Sequence, residues 1–256
     1  MKRIRFLDPA GHERVGRLEG DLISAAGREY SLEAVTVRPP TDPSKLVCVG
    51  LNYSDHAAET DSEIPERPLL FAKFPNAVAA PGSTVELPAD KRIDYEGELG
   101  VVVGSQCRNV SADRAEDVIA GYTCVDDLSN RDDQRSEQNW IRGKTFDDAA
   151  PMGPVLATPE EVPDDATIEV RVNGETRQSS SIDNLLFSIP ELIEEITSYL
   201  TLEPGDVILT GTPAGVGPVS DGDTVEVEIE GIGTLSHDVA AGEFEGDVQQ
   251  DFLPDL

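Results

Sequence analysis

Two glutamates, Glu96 and Glu98, lie two residues apart in the segment DYEGELGVVVG, which continues into an apolar run typical of a buried strand. On a strand this spacing places both carboxylates on the same face, and Gly97 between them leaves room for another group to approach. Neighbouring carboxylates repel each other unless a cation lies between them, and hard oxygen ligands favour Mg²⁺, Mn²⁺ or Ca²⁺. Acidic pairs at this spacing also arise by chance in so acidic a chain. An unpaired charge beside an apolar run is costly, however, so the pair is a candidate metal site.

A second acidic pair, Asp126 and Asp127, follows the apolar segment GYTCV, again at the end of a predicted strand. One of these two side chains could turn inward and supply a third carboxylate to the same ion. The residues alone leave open which of the two aspartates does so.

A histidine and a glutamate, His56 and Glu59, are three residues apart in a predicted helical turn over residues 54–60, so they are neighbours on one face. A glutamate that accepts from one imidazole nitrogen leaves the other nitrogen free to act as a base near neutral pH. A surface ion pair has the same spacing and is the alternative. Lys144, in the segment WIRGKTFDDAAPMGP, could stabilise an oxyanion or be an ordinary solvated lysine.

The elements that must position these residues fall into two regions. Residues 1–42 contain short strand patterns broken by glycines, and they end in the linker RPPTDP, whose X-Pro steps oppose a helix. We therefore predict a small N-terminal β domain over residues 1–42 and a second domain over residues 43–256.

Beyond the linker, predicted strands outnumber helices and do not alternate with them as in a doubly wound sheet. The pattern TIEVRV-NG-ETRQ predicts a hairpin, because Asn173 and Gly174 suit a type I′ turn. Helices are predicted over SADRAEDVIAG, from an N-cap at Ser111 to Gly121, and over IPELIEEITSYL, with Pro190 in its first turn. The predicted fold class is α+β, dominated by β structure.

The chain is strongly acidic, since 20 lysines and arginines and 50 aspartates and glutamates give a formal net charge of −30. This field repels phosphate backbones and anionic lipids, which argues against nucleic-acid and membrane partners. The acidic residues are spread along the chain, which predicts a cytoplasmic protein of a high-salt (halophilic) cell, where salt screens the repulsion. The alternative is a charge mimic or an acidic interaction protein. The chain starts without an apolar signal segment, and no apolar stretch is long enough to span a bilayer.

Other patterns give no site by themselves. The three cysteines, Cys48, Cys107 and Cys124, lack metal or redox spacing and are predicted to be buried free thiols. The sequence GKT at 143–145 lacks the preceding glycine of a phosphate-binding loop, and GTPAGVG at 211–217 matches no nucleotide-binding motif. A G-x-S-x-G serine-hydrolase motif is missing as well.

Six segments of the chain together resemble the successive motifs of the fumarylacetoacetate hydrolase family, in its shorter bacterial and archaeal form. In chain order they are VGLNYSDHAAE, FAKFPNA, DYEGELGVVVG, GYTCVDDLSNRDDQ, GKTFDDAAPMGP and LTGTPAGVG. The resemblance extends from about residue 44 to residue 240. It implies a mixed β roll catalytic domain with a small N-terminal β domain, assembled as a homodimer.

The resemblance also implies the roles of individual residues. The family binds Mg²⁺ or Mn²⁺ through carboxylates that correspond to Glu96, Glu98 and Asp127, and Ca²⁺ could replace these ions in crystals. Its His-Glu pair corresponds to His56 and Glu59. The remaining implied site residues are catalytic Lys144 and the substrate-binding Lys73, Arg131, Gln134 and Thr212. The chain departs from the family pattern at Asn130 and Ala150, which are not ligands, so these changes bear on the substrate more than on the chemistry.

The implied activity is that of an enzyme acting on a small anionic 2-oxo acid. A divalent ion chelated by the carboxylate and keto oxygens would act as a Lewis acid and stabilise an enolate. In a C–C hydrolase of a 2,4-diketo acid such as an acylpyruvate or fumarylpyruvate, His56 oriented by Glu59 would activate water, and Lys144 would stabilise the oxyanion. The same residues could serve a 2-hydroxyhepta-2,4-diene-1,7-dioate isomerase of aromatic catabolism or an oxaloacetate decarboxylase. The non-enzyme alternative is an acidic β protein that only binds a cation.

Overall fold

The computed structural model describes residues 1–61 and 63–242. Strands dominate this part of the chain, as predicted, and helices are few and short. None of the helices in these two ranges has the length and apolar composition needed to cross a membrane.

Twenty strands and four α-helices make up the described part of the chain. The strands of the first half are β1 (Lys2–Leu7), β2 (Glu13–Glu19), β3 (Leu22–Ala25), β4 (Arg28–Ser31), β5 (Thr36–Arg38), β6 (Leu46–Gly50), β7 (Leu69–Lys73), β8 (Val78–Ala79), β9 (Thr84–Leu87), β10 (Ile93–Tyr95) and β11 (Gly97–Val103). Those of the second half are β12 (Ile119–Asp126), β13 (Ser129–Asn130), β14 (Ala150–Ala157), β15 (Thr167–Val172), β16 (Glu175–Ser181), β17 (Val207–Leu209), β18 (Gly217–Pro218), β19 (Thr224–Ile229) and β20 (Gly233–Ala241). The α-helices are α1 (Ser54–Glu59), α2 (Arg131–Ser136), α3 (Ile141–Lys144) and α4 (Ile189–Tyr199). Short 3₁₀ helices cover Leu32–Ala34, Pro75–Ala77, Ala112–Val118, Pro159–Glu161 and Ile182–Asn184.

The strands form three sheets. A 12-stranded sheet has the order β4-β3-β2-β1-β14-β12-β11-β17-β6-β7, with β5 added to β1 and β8 added to β14. A five-stranded sheet has the order β16-β15-β19-β20-β9, and a three-stranded sheet has the order β13-β10-β18. Most pairs are antiparallel, but three are parallel, namely β6 with β17, β8 with β14 and β9 with β20, so the sheets are mixed.

The N-terminal strands belong to the 12-stranded sheet. Strand β1 pairs with β2 on one side and with β14 on the other, where Lys2 lies opposite Ala157. The sheet therefore contains strands from both sides of the predicted boundary at residue 42, and that boundary stays a prediction.

Strand β11 of the 12-stranded sheet is buried along its whole length and packs against strands β15 and β19 of the five-stranded sheet. A side chain at Gly97 would place its Cβ 2.2 Å from Val170 Cγ2 of β15, in the five-stranded sheet. The space left by this glycine is thus filled by the opposing sheet. The glycine allows the strand that carries Glu98 and the five-stranded sheet to pack closely.

Three local predictions are confirmed and one is wrong. Strands β15 and β16 form the predicted hairpin, in which Asn173 and Gly174 have φ values of 53° and 78°. Helix α4 covers the predicted segment and buries Leu192, Ile193 and Ile196. The helix predicted from Ser111 to Gly121 is instead a 3₁₀ helix that ends at Val118, because residues from Ile119 onward pair with β11. The cysteines are buried and free, as predicted.

Candidate active site and metal centre

The structure brings together the three acids that were predicted to hold a metal ion. Each of Glu96, Glu98 and Asp127 offers a carboxylate oxygen within 4.8 Å of the others, and all three side chains are buried. Glu96 lies between β10 and β11, Glu98 is the second residue of β11, and Asp127 directly follows β12. Because Gly97 of β11 lies opposite Asp126 of β12, the antiparallel pairing carries the acids of both strands to the same end.

The two adjacent aspartates have different roles. Asp127 is the third carboxylate of the cluster. Asp126 is also fully buried, but its Oδ2 lies 2.8 Å from His237 Nε2, and its Oδ1 accepts a hydrogen bond from the Glu96 N–H. The question that the sequence left open is therefore answered in favour of Asp127.

Positive side chains lie directly against the acids. Lys144 Nζ donates to Glu96 Oε2 at 2.6 Å and to Asp127 Oδ2 at 2.9 Å. Arg131 pairs with Glu96 and donates to Asp94 Oδ2 at 2.8 Å. Burial raises the pKa of Glu96, but Lys144 and Arg131 outweigh burial and lower that pKa to about 2.

Glu98 has the opposite electrostatics. Burial, followed by the neighbouring charges of Asp127 and Glu96, raises the pKa of Glu98 well above its usual value. Its Oε2 accepts one hydrogen bond from the Gly211 N–H at 2.7 Å. Glu98 is thus the carboxylate of the cluster whose negative charge is least compensated by the protein.

Lys73 lies beneath the cluster and has no exposed side-chain surface. Its Nζ lies 2.7 Å from Asp127 Oδ1. It also donates to the main-chain oxygens of Leu128 at 3.2 Å, Lys144 at 2.6 Å and Ala149 at 2.8 Å. These contacts leave no N–H for the substrate contact that the resemblance implied. In this structure Lys73 instead positions Asp127 and offsets its charge.

The donor set fits a divalent ion. Asp127 Oδ1 is buried and receives no hydrogen bond from the described part of the chain, because Lys73 approaches it outside hydrogen-bond geometry. Among residues 1–61 and 63–242, Glu98 has no cationic partner, and the Lys144 ammonium lies between the other two carboxylates, where positive charge is favoured. Carboxylate oxygens without other partners are the ligands that Mg²⁺ and Mn²⁺ prefer.

A cavity of about 240 Å³ opens above the acids. The predicted site residues that line it are His56, Glu96, Glu98, Arg131, Gln134, Lys144 and Thr212. One wall is apolar and includes Leu69, Phe71 and Trp140, with the Phe71 and Trp140 ring centroids 5.4 Å apart. The cavity therefore combines a charged floor with an apolar wall, as a site for a small organic acid requires.

The His-Glu pair lies on α1 at the edge of this cavity. His56 Nδ1 is 3.4 Å from Glu59 Oε2, and the side chain of His56 is 18% exposed. Glu59 also accepts from the Gly215 N–H at 3.2 Å. With Nδ1 directed at Glu59, the second imidazole nitrogen of His56 is left for a ligand.

The glycine-rich segment at 211–217 connects these parts, although it matches no nucleotide-binding motif. The N–H of Gly211 donates to Glu98, and that of Gly215 donates to Glu59. Gly211 has φ +99°, where a side chain would be strained, and a Cβ would lie 2.9 Å from Asn52 Cβ. The segment thus supplies main-chain N–H donors to Glu98, a candidate metal ligand, and to Glu59 of the His-Glu pair.

The two polar residues expected to bind substrate lie in the cavity wall. Gln134 Oε1 accepts from Arg131 Nη1 at 2.9 Å, which leaves the amide nitrogen of Gln134 as a donor. The Thr212 hydroxyl donates to the Gly97 carbonyl oxygen at 2.9 Å.

Sequence reasoning missed three buried residues that support the site: Asp94, Gln178 and His237. Asp94 and Gln178 contact the site residues Arg131 and Thr212, and His237 contacts Asp126 next to Asp127; all of these contacts are made through the fold rather than through nearby sequence. His237 is 111 residues from its partner Asp126, for example, so no motif spacing could have indicated the pair.

Comparisons with known proteins agree with this geometry. The family model described as "Fumarylacetoacetate (FAA) hydrolase C-terminal" matches residues 45–240. An uncharacterized protein of Archaeoglobus fulgidus is 48% identical over 219 residues, which cover 85% of this chain and 87% of that protein. Oxaloacetate tautomerase YisK of Bacillus subtilis is 43% identical over 225 residues, which cover 82% of this chain and 75% of that protein.

Solved structures show the same fold. The structure of 5-carboxymethyl-2-hydroxymuconate delta-isomerase from Mycobacterium smegmatis has a TM-score of 0.88 and 40% identity, over 95% of this chain and 100% of that one. Maleylpyruvate hydrolase from Sphingobium sp. SYK-6, in complex with manganese(II) and pyruvate, has a TM-score of 0.82 and 27% identity, over 95% of this chain and 100% of that one. The family match, these identities and the shared fold agree, and the chain therefore belongs to the fumarylacetoacetate hydrolase family.

Proposed function

We propose that the protein is a metal-dependent enzyme that interconverts the enol and keto forms of a small 2-oxo acid. The observation that carries this proposal is that a single cavity is lined by the acids Glu96 and Glu98 and by His56 of the His-Glu pair. A base next to a cation site is the arrangement needed to move a proton on a carbon adjacent to a carbonyl group.

The carboxylates of Glu96, Glu98 and Asp127 would hold Mg²⁺ or Mn²⁺. When bound, such an ion supplies Lewis-acid chemistry to the carboxylate and keto oxygens of a 2-oxo acid. Lys144 uses two of its three N–H donors on Glu96 and Asp127. The remaining donor is available to a substrate oxygen.

Proton transfer is assigned to the His-Glu pair, His56 and Glu59. His56 gives a proton to the carbon next to the keto group, or removes one, and Glu59 orients the imidazole through Nδ1. The apolar wall around Phe71 and Trp140 would contact the rest of the substrate.

Hydrolysis of a C–C bond in an acylpyruvate-like 2,4-diketo acid is the second candidate. His56 could equally remove a proton from water, and a maleylpyruvate hydrolase is among the similar structures. That hydrolase is 27% identical to this chain, whereas the tautomerase and the isomerase are 43% and 40% identical. The more similar proteins therefore support proton transfer. Decarboxylation of oxaloacetate would use the same acids without an activated water.

A substrate panel with the Mg²⁺- and Mn²⁺-loaded protein tests the proposal. The ultraviolet absorbance of enol-oxaloacetate and of 2-hydroxyhepta-2,4-diene-1,7-dioate follows proton transfer, and pyruvate release from acetylpyruvate and fumarylpyruvate follows hydrolysis. Loss of enol absorbance without release of pyruvate or CO₂ is the expected result. Failure to turn over any of these acids, with Ca²⁺ bound in preference to Mg²⁺, would favour the cation-binding protein instead.

We also propose that the protein acts in the cytoplasm as a homodimer. Light scattering during gel filtration in molar KCl measures the assembly state directly. A mass near 27.5 kDa would indicate a monomer and contradict the dimer.

A further inference from the structure

The main-chain amides on both sides of Glu96 are held by side chains rather than by the backbone of a neighbouring strand. The N–H of Glu96 donates to Asp126 Oδ1 at 2.8 Å, and the N–H of Gly97 donates to Gln178 Oε1 at 3.0 Å. Glu96 itself lies in the short break between β10 and β11. These two side chains therefore hold the main chain at Glu96, while its carboxylate is contacted directly by Ser129, Arg131 and Lys144.

Two residues of the five-stranded sheet keep this main chain in place: Gln178 itself, and His237, which contacts Asp126. Gln178 lies on β16 and is 1% exposed. Its amide nitrogen donates to Thr212 Oγ1 at 2.8 Å and to the Pro213 carbonyl oxygen at 2.6 Å. The amide oxygen and nitrogen of Gln178 thus fix the metal-ligand strand to the glycine-rich segment.

The second support is His237 on β20, which is 1% exposed. Its Nε2 lies 2.8 Å from Asp126 Oδ2, while Asp126 Oδ1 accepts from Glu96. A buried carboxylate without a partner is costly and would reorient. His237 therefore keeps Asp126 in the position where it can hold the Glu96 amide.

The same sheet also holds the His-Glu helix. Ser180 follows Gln178 by two residues on β16, so both side chains lie on one face of the strand. Ser180 Oγ donates to Asp55 Oδ2 at 2.6 Å, and Asp55 Oδ1 accepts from the His56 N–H at 2.7 Å. One strand thus contacts both the segment around Glu96 and the helix that carries His56.

We infer that the five-stranded sheet positions the active site. One set of its residues positions the metal-binding acids, and another positions the His-Glu pair. His237, through Asp126, positions the metal ligand Glu96. Ser180, through Asp55, positions the base His56. Gln178 belongs to the first set, because it holds the Gly97 N–H next to Glu96. This inference rests on the metal site of the proposed function but not on the choice between proton transfer and hydrolysis.

Two variants test whether the metal-binding acids and the His-Glu pair are positioned by different residues. Mn²⁺ affinity is measured by calorimetry in molar KCl, which screens weak binding to the acidic surface, and the mobility of α1 is measured by hydrogen–deuterium exchange of its amides. His237→Phe is expected to weaken Mn²⁺ binding by about 10- to 100-fold and to leave exchange in α1 unchanged. Ser180→Ala is expected to increase exchange in α1 and to leave the Mn²⁺ affinity unchanged.

Two controls separate positioning from general stability. Thr197 lies on α4, is fully buried and accepts from the Val110 N–H at 3.0 Å. Thr197→Val should lower the melting temperature without changing Mn²⁺ affinity. His237→Gln keeps an N–H donor near the position of Nε2 and should recover most of the affinity that His237→Phe loses.

The outcomes are distinct. Wild-type Mn²⁺ affinity in His237→Phe, or an equal loss in Thr197→Val, would overturn the positioning role alone. No Mn²⁺ binding by the wild-type protein would overturn the metal site and with it the proposed function. If His237→Phe does not fold, Gln178→Met provides the same test, because it removes the acceptor of the Gly97 N–H and should also weaken Mn²⁺ binding.

Discussion

Lys144 Nζ lies 2.6 Å from Glu96 Oε2, and both side chains are buried, so a lysine that could have been solvated is part of the acidic cluster. Burial alone would lower the pKa of Lys144, but the charges of Asp127 and Glu96 outweigh burial and raise that pKa. The ammonium is therefore charged when the protein is folded, and it offsets the repulsion between two carboxylates.

Lys144→Met is expected to lower the free energy of unfolding of the metal-free protein by about 3–5 kcal/mol, because it removes a buried cation that faces both Glu96 and Asp127. Urea unfolding with EDTA measures this loss. Lys91→Met is the matched control, since Lys91 pairs with Asp133 while 36% exposed, and its loss should cost at most about 1 kcal/mol. Equal losses in both variants would contradict the buried role of Lys144.

Glu98→Gln should have the opposite effect on the metal-free protein. Burial and the charges of Asp127 and Glu96 raise the pKa of Glu98, so its ionised form destabilises the folded state. The folded state keeps the Glu98 proton to a higher pH than the unfolded chain does. Stability from this group is therefore lost as pH rises above about 4.5, the usual pKa of a glutamate.

The measurement is the difference in unfolding free energy between Glu98→Gln and the wild type at several pH values with EDTA. We expect the variant to become the more stable protein as pH increases, and to lose calorimetric Mn²⁺ binding. Glu29→Gln, at an exposed position, should change neither property. Unchanged Mn²⁺ affinity in Glu98→Gln would refute the assignment of Glu98 as a ligand.

His56→Ala is expected to keep Mn²⁺ affinity and to lose enol–keto turnover by about 10²- to 10⁴-fold, the usual contribution of a positioned general base. Oxaloacetate decarboxylation could survive, because it needs no activated water. His12→Ala, at a histidine that is 70% exposed, is the control and should remain active. Wild-type turnover in His56→Ala would remove the base role.

Trp140 is the only tryptophan in the sequence and it lines the cavity, so its fluorescence should report ligand binding. Oxalate, which presents adjacent carboxylate oxygens like those of a 2-oxo acid, should change the emission in the presence of Mg²⁺ and have little effect with EDTA. Trp140→Phe should give no signal. An equal response with and without Mg²⁺ would contradict a metal-dependent ligand site.

Raising KCl from low to molar concentration should raise the melting temperature of the protein, because salt screens the mutual repulsion expected from a net charge of −30. The scan is made with EDTA present, so that no divalent ion contributes. A melting temperature that does not respond to KCl would count against adaptation to high salt.

The sequence alone predicts those parts of the site whose residues are close together along the chain. Glu96 and Glu98 are fixed by strand spacing, and His56 and Glu59 by helical spacing, so each pair could be placed before the fold was known. Asp127 could not be separated from its neighbour by spacing, because the choice depends on which aspartate His237 engages.

Longer-range features required the structure. Lys73 is surrounded by three carbonyl groups from distant segments, and nothing in its local sequence indicates that it is inaccessible. Gln178 and His237 lie in strands whose alternation predicts β structure but not a contact with the other sheet. The 3₁₀ helix at Ala112–Val118 has the composition of an α-helix, and strand pairing from Ile119 onward overrides that preference.

The close contact between Gly97 and Val170 restricts how the pocket can be re-engineered. Any side chain at position 97 would collide with Val170 of the opposing sheet, so the strand that carries Glu98 tolerates no larger residue at this position. The facing wall is different, since Leu69 is 45% exposed there and lies beside Phe71 and Trp140. Efforts to broaden or narrow the range of accepted acids should therefore begin with libraries at these three positions.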